Sequence, residues 1–110
     1  LSIGELCNRF LTSKQHLLNS GEITPRTFGE YKGTTDRIVV EFGKSRLVED
    51  LATTDFETLR AGIARKRGPV ALGNEVQRVR SVFKYAYDAA LIEKPIRYGP
   101  DFKKPSISPQ

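Results

Sequence analysis

The chain has 110 residues, 38% of them hydrophobic and including six phenylalanines and four tyrosines, enough for one compact domain that buries roughly two-thirds of its unfolded surface. One cysteine and one histidine exclude an internal disulfide and a Cys/His zinc site, and no run approaches the roughly 18 apolar residues of a membrane span or the layout of a signal peptide. The formal charge of +5 is uneven: residues 1–60 carry 8 basic and 9 acidic side chains, residues 61–110 carry 10 and 4, an asymmetry suited to binding a polyanion.

The chain contains no methionine, which points to a piece excised from a longer protein, and the lone cysteine to a reducing, cytoplasmic setting. Ser2 and Glu5 have capping-box spacing, and Ile3, Leu6, Cys7, Phe10, Leu11, Leu17 and Leu18 recur at helical intervals, which predicts a first helix over about 3–19, ended by Ser20-Gly21. Thr24-Pro25 reads as a cap followed by a proline at the first helical position. Phe28, Tyr31, Thr35, Ile38, Val39 and Phe42 then form the apolar stripe of a second helix that stops at Gly43.

An irregular linker carries Leu47, Val48 and Leu51 before a third helix starts at Thr53 or Thr54, with Phe56, Leu59, Arg60 and Ile63 setting its faces. Arg65-Lys66-Arg67 falls in its last turn, where cations suit the negative end of the helix dipole, and Gly68-Pro69 terminates it. That placement suits a structural role as well as a DNA contact, and the triplet is not selected as a site. The fourth helix, over about 72–91, places Val76, Val79, Phe83, Ala86, Tyr87 and Ala90 on one face and Gln77, Arg78, Ser81, Tyr85 and Asp88 opposite. Beyond Ile92, four prolines and sparse apolar content read as an extended linker or tail. No period-two alternation is present, so the expected fold is all-α: a four-helix domain over 1–92 with a linker over 93–110.

Phosphate-loop, dinucleotide, zinc-protease and nucleophile-elbow motifs are all missing from the chain. His16 has no paired nucleophile and reads as a surface or half-buried structural side chain, and Cys7 lies on the apolar stripe as a small hydrophobe. Glu49, Asp50, Asp55 and Glu57 flank the start of the third helix, where negative charge meets the helix dipole favourably. No metal, cofactor or catalytic residue is expected.

What remains is a binding face. Arg26, Thr27, Lys32 and Arg37 lie on or beside the polar side of the second helix, and Asn74, Gln77, Arg78, Ser81 and Lys84 on that of the fourth. Cations combined with amide and hydroxyl donors suit phosphate positioning plus base-edge readout.

Several stretches together resemble the N-terminal core-binding (SAM-like) domain of tyrosine recombinases of the phage integrase family. They are Leu6, Phe10 and Leu11; Thr24 through Lys32; Val48-Glu49-Asp50-Leu51 leading to Asp55-Phe56; and Asn74 through Ile92 with Val79-Arg80-Ser81-Val82-Phe83-Lys84-Tyr85-Ala86. The resemblance implies a four-helix domain that covers one side of double-stranded DNA while the C-terminal catalytic domain of the same chain grips the other. It implies further protomers in a tetrameric synapse and a DNA-associated bacterial protein. It assigns the second and fourth helices to the DNA. Arg80 and Tyr31, at the edge of the apolar stripe and on it, suit packing as well as DNA contact. The family's His-x-x-Arg element is missing, since the only histidine reads His16-Leu17-Leu18-Asn19, so catalysis is not expected of this piece. The competing readings are a helical protein-interaction module and, behind it, an independent helix-turn-helix repressor.

Overall fold

Hydroxyl caps start the first two helices. The Ser2 hydroxyl accepts the Glu5 amide at 3.2 Å and opens α1 (Ile3–Asn19), and Thr24 accepts the Thr27 amide at 3.1 Å and opens α2 (Pro25–Phe42), with Pro25 in the first helical turn. Gly21 (φ 79°) and Gly43 (φ 94°) end them in the left-handed region that glycine adopts without a Cβ penalty. These limits match the sequence expectation.

After a short 3-10 turn at Val48–Asp50 comes α3 (Thr53–Ala64). Alanine, not threonine, stands at its N-cap. The missing side-chain cap is supplied from inside the helix by Asp55, whose Oδ2 accepts the Ala52 amide at 2.8 Å while Arg46 donates to both carboxylate oxygens at 2.8 and 3.0 Å. The carboxylates Asp55 and Glu57 thus sit at a helix start, as read, and Asp55 has a structural task there.

The fourth helix departs from expectation at both ends. It is α4 (Pro69–Asp88), with Pro69 at its first position, so Gly68-Pro69 begins this helix and does not terminate the previous one. A proline is as well accommodated at the start of a helix as just beyond its end, and the sequence pattern alone does not separate the two. As a result Arg65-Lys66-Arg67 lies in an exposed loop beyond α3, not in its last turn. At the other end Ala90 adopts φ 59° and the Ala86 carbonyl accepts the Leu91 amide at 2.9 Å, a left-handed stop that takes 89–91 out of the helix. Tyr87 and Ala90, expected on the apolar face, are exposed, and Val82 is buried in their stead.

The computed structural model describes residues 1–106, which form an all-α domain of four helices with a single isolated bridge, Ser2 to Leu47, and no strand among them. Among the described residues no helix is long and apolar enough to cross a membrane. The central element is α4, which packs against each of the other three. Its Val76, Val79, Val82, Phe83 and Ala86 meet Phe10 of α1, Ile38 and Phe42 of α2, and Phe56, Leu59 and Ile63 of α3 in one buried core.

The tail is the largest correction. Residues 93–106 contain no helix, but they are not a free linker: they fold back over α3 and α4 and complete the core. Phe102 is 1% exposed, its ring 5.3 Å from Phe56 and stacked on Tyr98 at 5.5 Å. Arg80 donates to the Phe102 carbonyl at 2.9 Å and lies 4.4 Å over the Tyr98 ring, and Arg60 donates to the Lys103 carbonyl at 3.1 Å. Gly73 makes room for the return, since a Cβ there would stand 3.3 Å from Lys104 Cγ. Ile96, Tyr98 and Phe102 are three apolar residues spread among Pro95, Pro100 and Pro105 and charged side chains, too sparse for pattern analysis to count as core. The expected boundary at residue 92 cuts through a packed body. Pro109 and the rest of 107–110 lie outside the described residues.

Candidate nucleic-acid interface

Where α2 and α4 meet, a carboxylate stands on the buried face of α4. Glu75 is 3% exposed and shares that face with Val79, Val82 and Ala86. An unpaired charge there would be costly, and the neighbouring helix supplies the partners. Arg37 of α2 donates its Nε to Glu75 Oε2 at 2.8 Å, Arg78 of α4 donates its Nε to Oε1 at 3.0 Å, and the Thr34 hydroxyl donates to Oε1 at 2.6 Å. Burial alone would push the Glu75 carboxyl up. The hydrogen bonds from Thr34, Arg37 and Arg78, with the Arg78 charge, outweigh it and hold the group below its ordinary 4.5, so it is ionised at neutral pH. Each arginine is bound only through Nε. Among the described residues the terminal nitrogens of both have no hydrogen-bond partner, and the two side chains are 25% and 23% exposed.

This junction brings together two of the nine expected contacts. Asn74 is exposed one turn before Arg78 on the same side of α4. Gln77, exposed and about 100° around the helix from Arg78, lines with Arg80, Ser81 and Lys84 a separate groove against Pro95 and Tyr98. Ser81 is half-buried, its hydroxyl donating to the Gln77 carbonyl at 3.0 Å. Lys84 continues the same side and pairs with Asp88. On α2, Arg26 is exposed in the first turn. Thr27 is half-buried and occupied in the cap, its hydroxyl accepting from Thr24 at 3.1 Å. Lys32 stands apart, rotated from Arg37 by about 140° around the helix and paired with Asp36 at 2.7 Å. Exposed pairs of this kind are weak and leave the lysines available to a ligand.

Tyr31 and Arg80 are absorbed by packing. Tyr31 lies edge-on to Phe10 at 5.3 Å with Lys14 Nζ 4.9 Å from its ring, and Arg80 holds the tail.

Three contributors were not selected from the sequence. Glu75 could have been found as a carboxylate falling on an apolar helical stripe. Arg65 and Lys66, freed by the earlier end of α3, line with Arg37 a groove of about 400 Å³ between α2 and α3, whose other walls include Asp36, Val40 and Glu41. Their signal was the basic triplet itself, set aside because it was placed inside a helix.

Groups with catalytic potential are dispersed. His16 is exposed near the end of α1, and the Cys7 thiol is buried, which pushes it up to about 11. Burial likewise carries the Tyr98 hydroxyl to about 12 against the opposing charge of Arg80. Among the described residues no three His, Cys, Asp or Glu side chains are grouped to hold a metal ion. No protein-family model matches the chain, and no characterised protein or solved structure matches it either.

Proposed function

We propose that this domain binds double-stranded DNA through the side formed by α2 and α4, as the core-binding half of a tyrosine recombinase of the phage integrase type. In this reading the catalytic domain of the same chain closes on the opposite side of the duplex, further protomers complete a tetrameric synapse, and the protein works on DNA in the bacterial cytoplasm. The domain contributes positioning and affinity, and strand cleavage belongs to the catalytic domain.

The observation that carries the proposal is the convergence of Arg37 and Arg78, from the two helices that the resemblance assigns to DNA, at one surface, with the exposed Asn74 one turn before Arg78 on the same side of α4. Guanidinium groups position a phosphate backbone, and exposed amides reach base edges. Titration of the isotope-labelled chain with a duplex of about 15 base pairs, at low and moderate salt, tests it. Amide shifts are expected on the outer sides of α2 and α4, fading as salt rises, and replacing both Arg37 and Arg78 by alanine should make the salt slope shallower by about two.

The second reading, a helical protein-interaction module, is favoured by one feature. Val40 is 86% exposed in the groove beside Arg65 and Lys66, where Asp36 and Glu41 offset much of the positive charge. It predicts no salt-dependent duplex shifts.

A further inference from the structure

We propose that Arg37 and Arg78 form a receptor for one phosphate group and that Glu75 is the buried residue that positions both. The inference rests on the DNA reading for its physiological ligand, a backbone phosphodiester, but its chemistry is that of any phosphate.

An arginine offers five N–H donors in a planar fork. Here each guanidinium commits Nε to one oxygen of the same carboxylate, at 2.8 and 3.0 Å, and keeps its terminal nitrogens unpartnered among the described residues. One carboxylate shared in this way does three things. It screens two like charges that would otherwise repel, it leaves the cluster net positive, and it fixes the planes of both guanidiniums before any ligand arrives. Thr34 adds rigidity: its hydroxyl donates to Oε1 at 2.6 Å and accepts from Arg78 Nε at 3.2 Å. Glu75, almost wholly buried, stays behind the arginines and presents no negative charge outward. Two outward guanidinium edges offer more donors than the two oxygens of a carboxylate use, and they match the oxygens of a phosphate better. The exposed amide of Asn74, one turn before Arg78 on the same side of α4, suits a ligand whose phosphate is part of a polymer with readable edges.

The test separates positioning from bulk charge. Glu75→Gln makes the surface more positive by one charge, so under simple electrostatics duplex binding strengthens. If Glu75 positions the arginines, binding weakens by about tenfold, although the amide spectrum shows the fold intact. Arg37→Lys combined with Arg78→Lys preserves charge and removes the forks, so duplex affinity should fall while the salt slope stays close to that of the unaltered chain. Side-chain NMR of the arginines reads the receptor directly. With the duplex, both sets of terminal N–H signals should shift together.

Unchanged or stronger duplex binding by the glutamine and lysine variants overturns the proposal. Duplex shifts on α2 and α4 amides without any on the arginine forks overturn it too, while leaving the DNA reading in place. Fork shifts with inorganic phosphate and none anywhere with duplex uphold the receptor for a free phosphate ligand and overturn the DNA reading. Fork shifts with an acidic peptide, and with neither phosphate source, overturn the receptor.

Discussion

Replacing Phe102 by alanine puts the docked tail to the test. The ring is buried to 1% exposure, 5.3 Å from Phe56 and 5.5 Å from Tyr98, and it closes the side of the core lined by α3 and α4. Truncating a buried phenylalanine costs about 3–5 kcal/mol, and the irregular tail can settle into part of the gap, which places the expected loss near the lower end, about 3 kcal/mol. A domain of this size has roughly 5–15 kcal/mol in total, and each kcal/mol moves the midpoint by about 4–8 °C at 60–100 residues, so melting should fall by roughly 12–24 °C. Urea unfolding of the two proteins, followed by far-UV circular dichroism and tyrosine fluorescence, measures the difference. A loss below about 1 kcal/mol, the range of an ordinary surface substitution, would refute the argument and restore a domain ending near residue 92 with a free linker after it.

Acid sensitivity should trace in part to Glu75 and Asp55. Burial pushes both up, but their hydrogen bonds to Thr34, Arg37 and Arg78, and to Ala52 and Arg46, leave both lowered in the fold. The stability they contribute is present above the ordinary carboxylate values of 4.5 and 3.8 and lost as pH falls below them. Glu75→Gln should therefore flatten the acid limb of a stability profile measured from pH 3 to 7. In base the sign reverses: Cys7 rises from 9.0 to about 11 and Tyr98 from 10.0 to about 12, so stability should decline as pH climbs above 9, and Cys7→Ser should remove the earliest part of that decline in urea titrations across the range. Ala90→Gly relieves a left-handed alanine at the end of α4 and should raise stability by about 0.5–1 kcal/mol in the same unfolding assay.

Much of the fold is legible in local chemistry. Ser2, Thr24 and Pro25 announce helix starts that need no tertiary context, and Gly21 and Gly43 announce stops for the same reason. Legibility fails where one residue satisfies two local rules, as Pro69 does, and where the apolar residues that complete the core are few and scattered among prolines, as with Ile96, Tyr98 and Phe102. The candidate face was legible as a composition of cations and amides on two helices. Its organisation was not, because Glu75 acquires its meaning from Arg37, 38 positions away, and no pattern within a single helix encodes that pairing. Thr27 and Lys32 show the converse: both fall on polar positions, yet the capping network takes the first and the rotation of α2 turns the second away from Arg37.

The position of Phe102 along the chain also governs when this domain becomes whole during its synthesis. Translation delivers α1 through α4 first, and until the last dozen or so described residues follow, Phe56 and Phe83 face an unfilled flank. A nascent chain halted in that interval carries its helices and the Arg37–Glu75–Arg78 junction but an open aromatic side, the kind of exposed apolar surface that chaperones hold and that neighbouring chains find. The docked segment thus acts as a completion step for folding, and it arrives after the Arg37–Glu75–Arg78 junction has been synthesised.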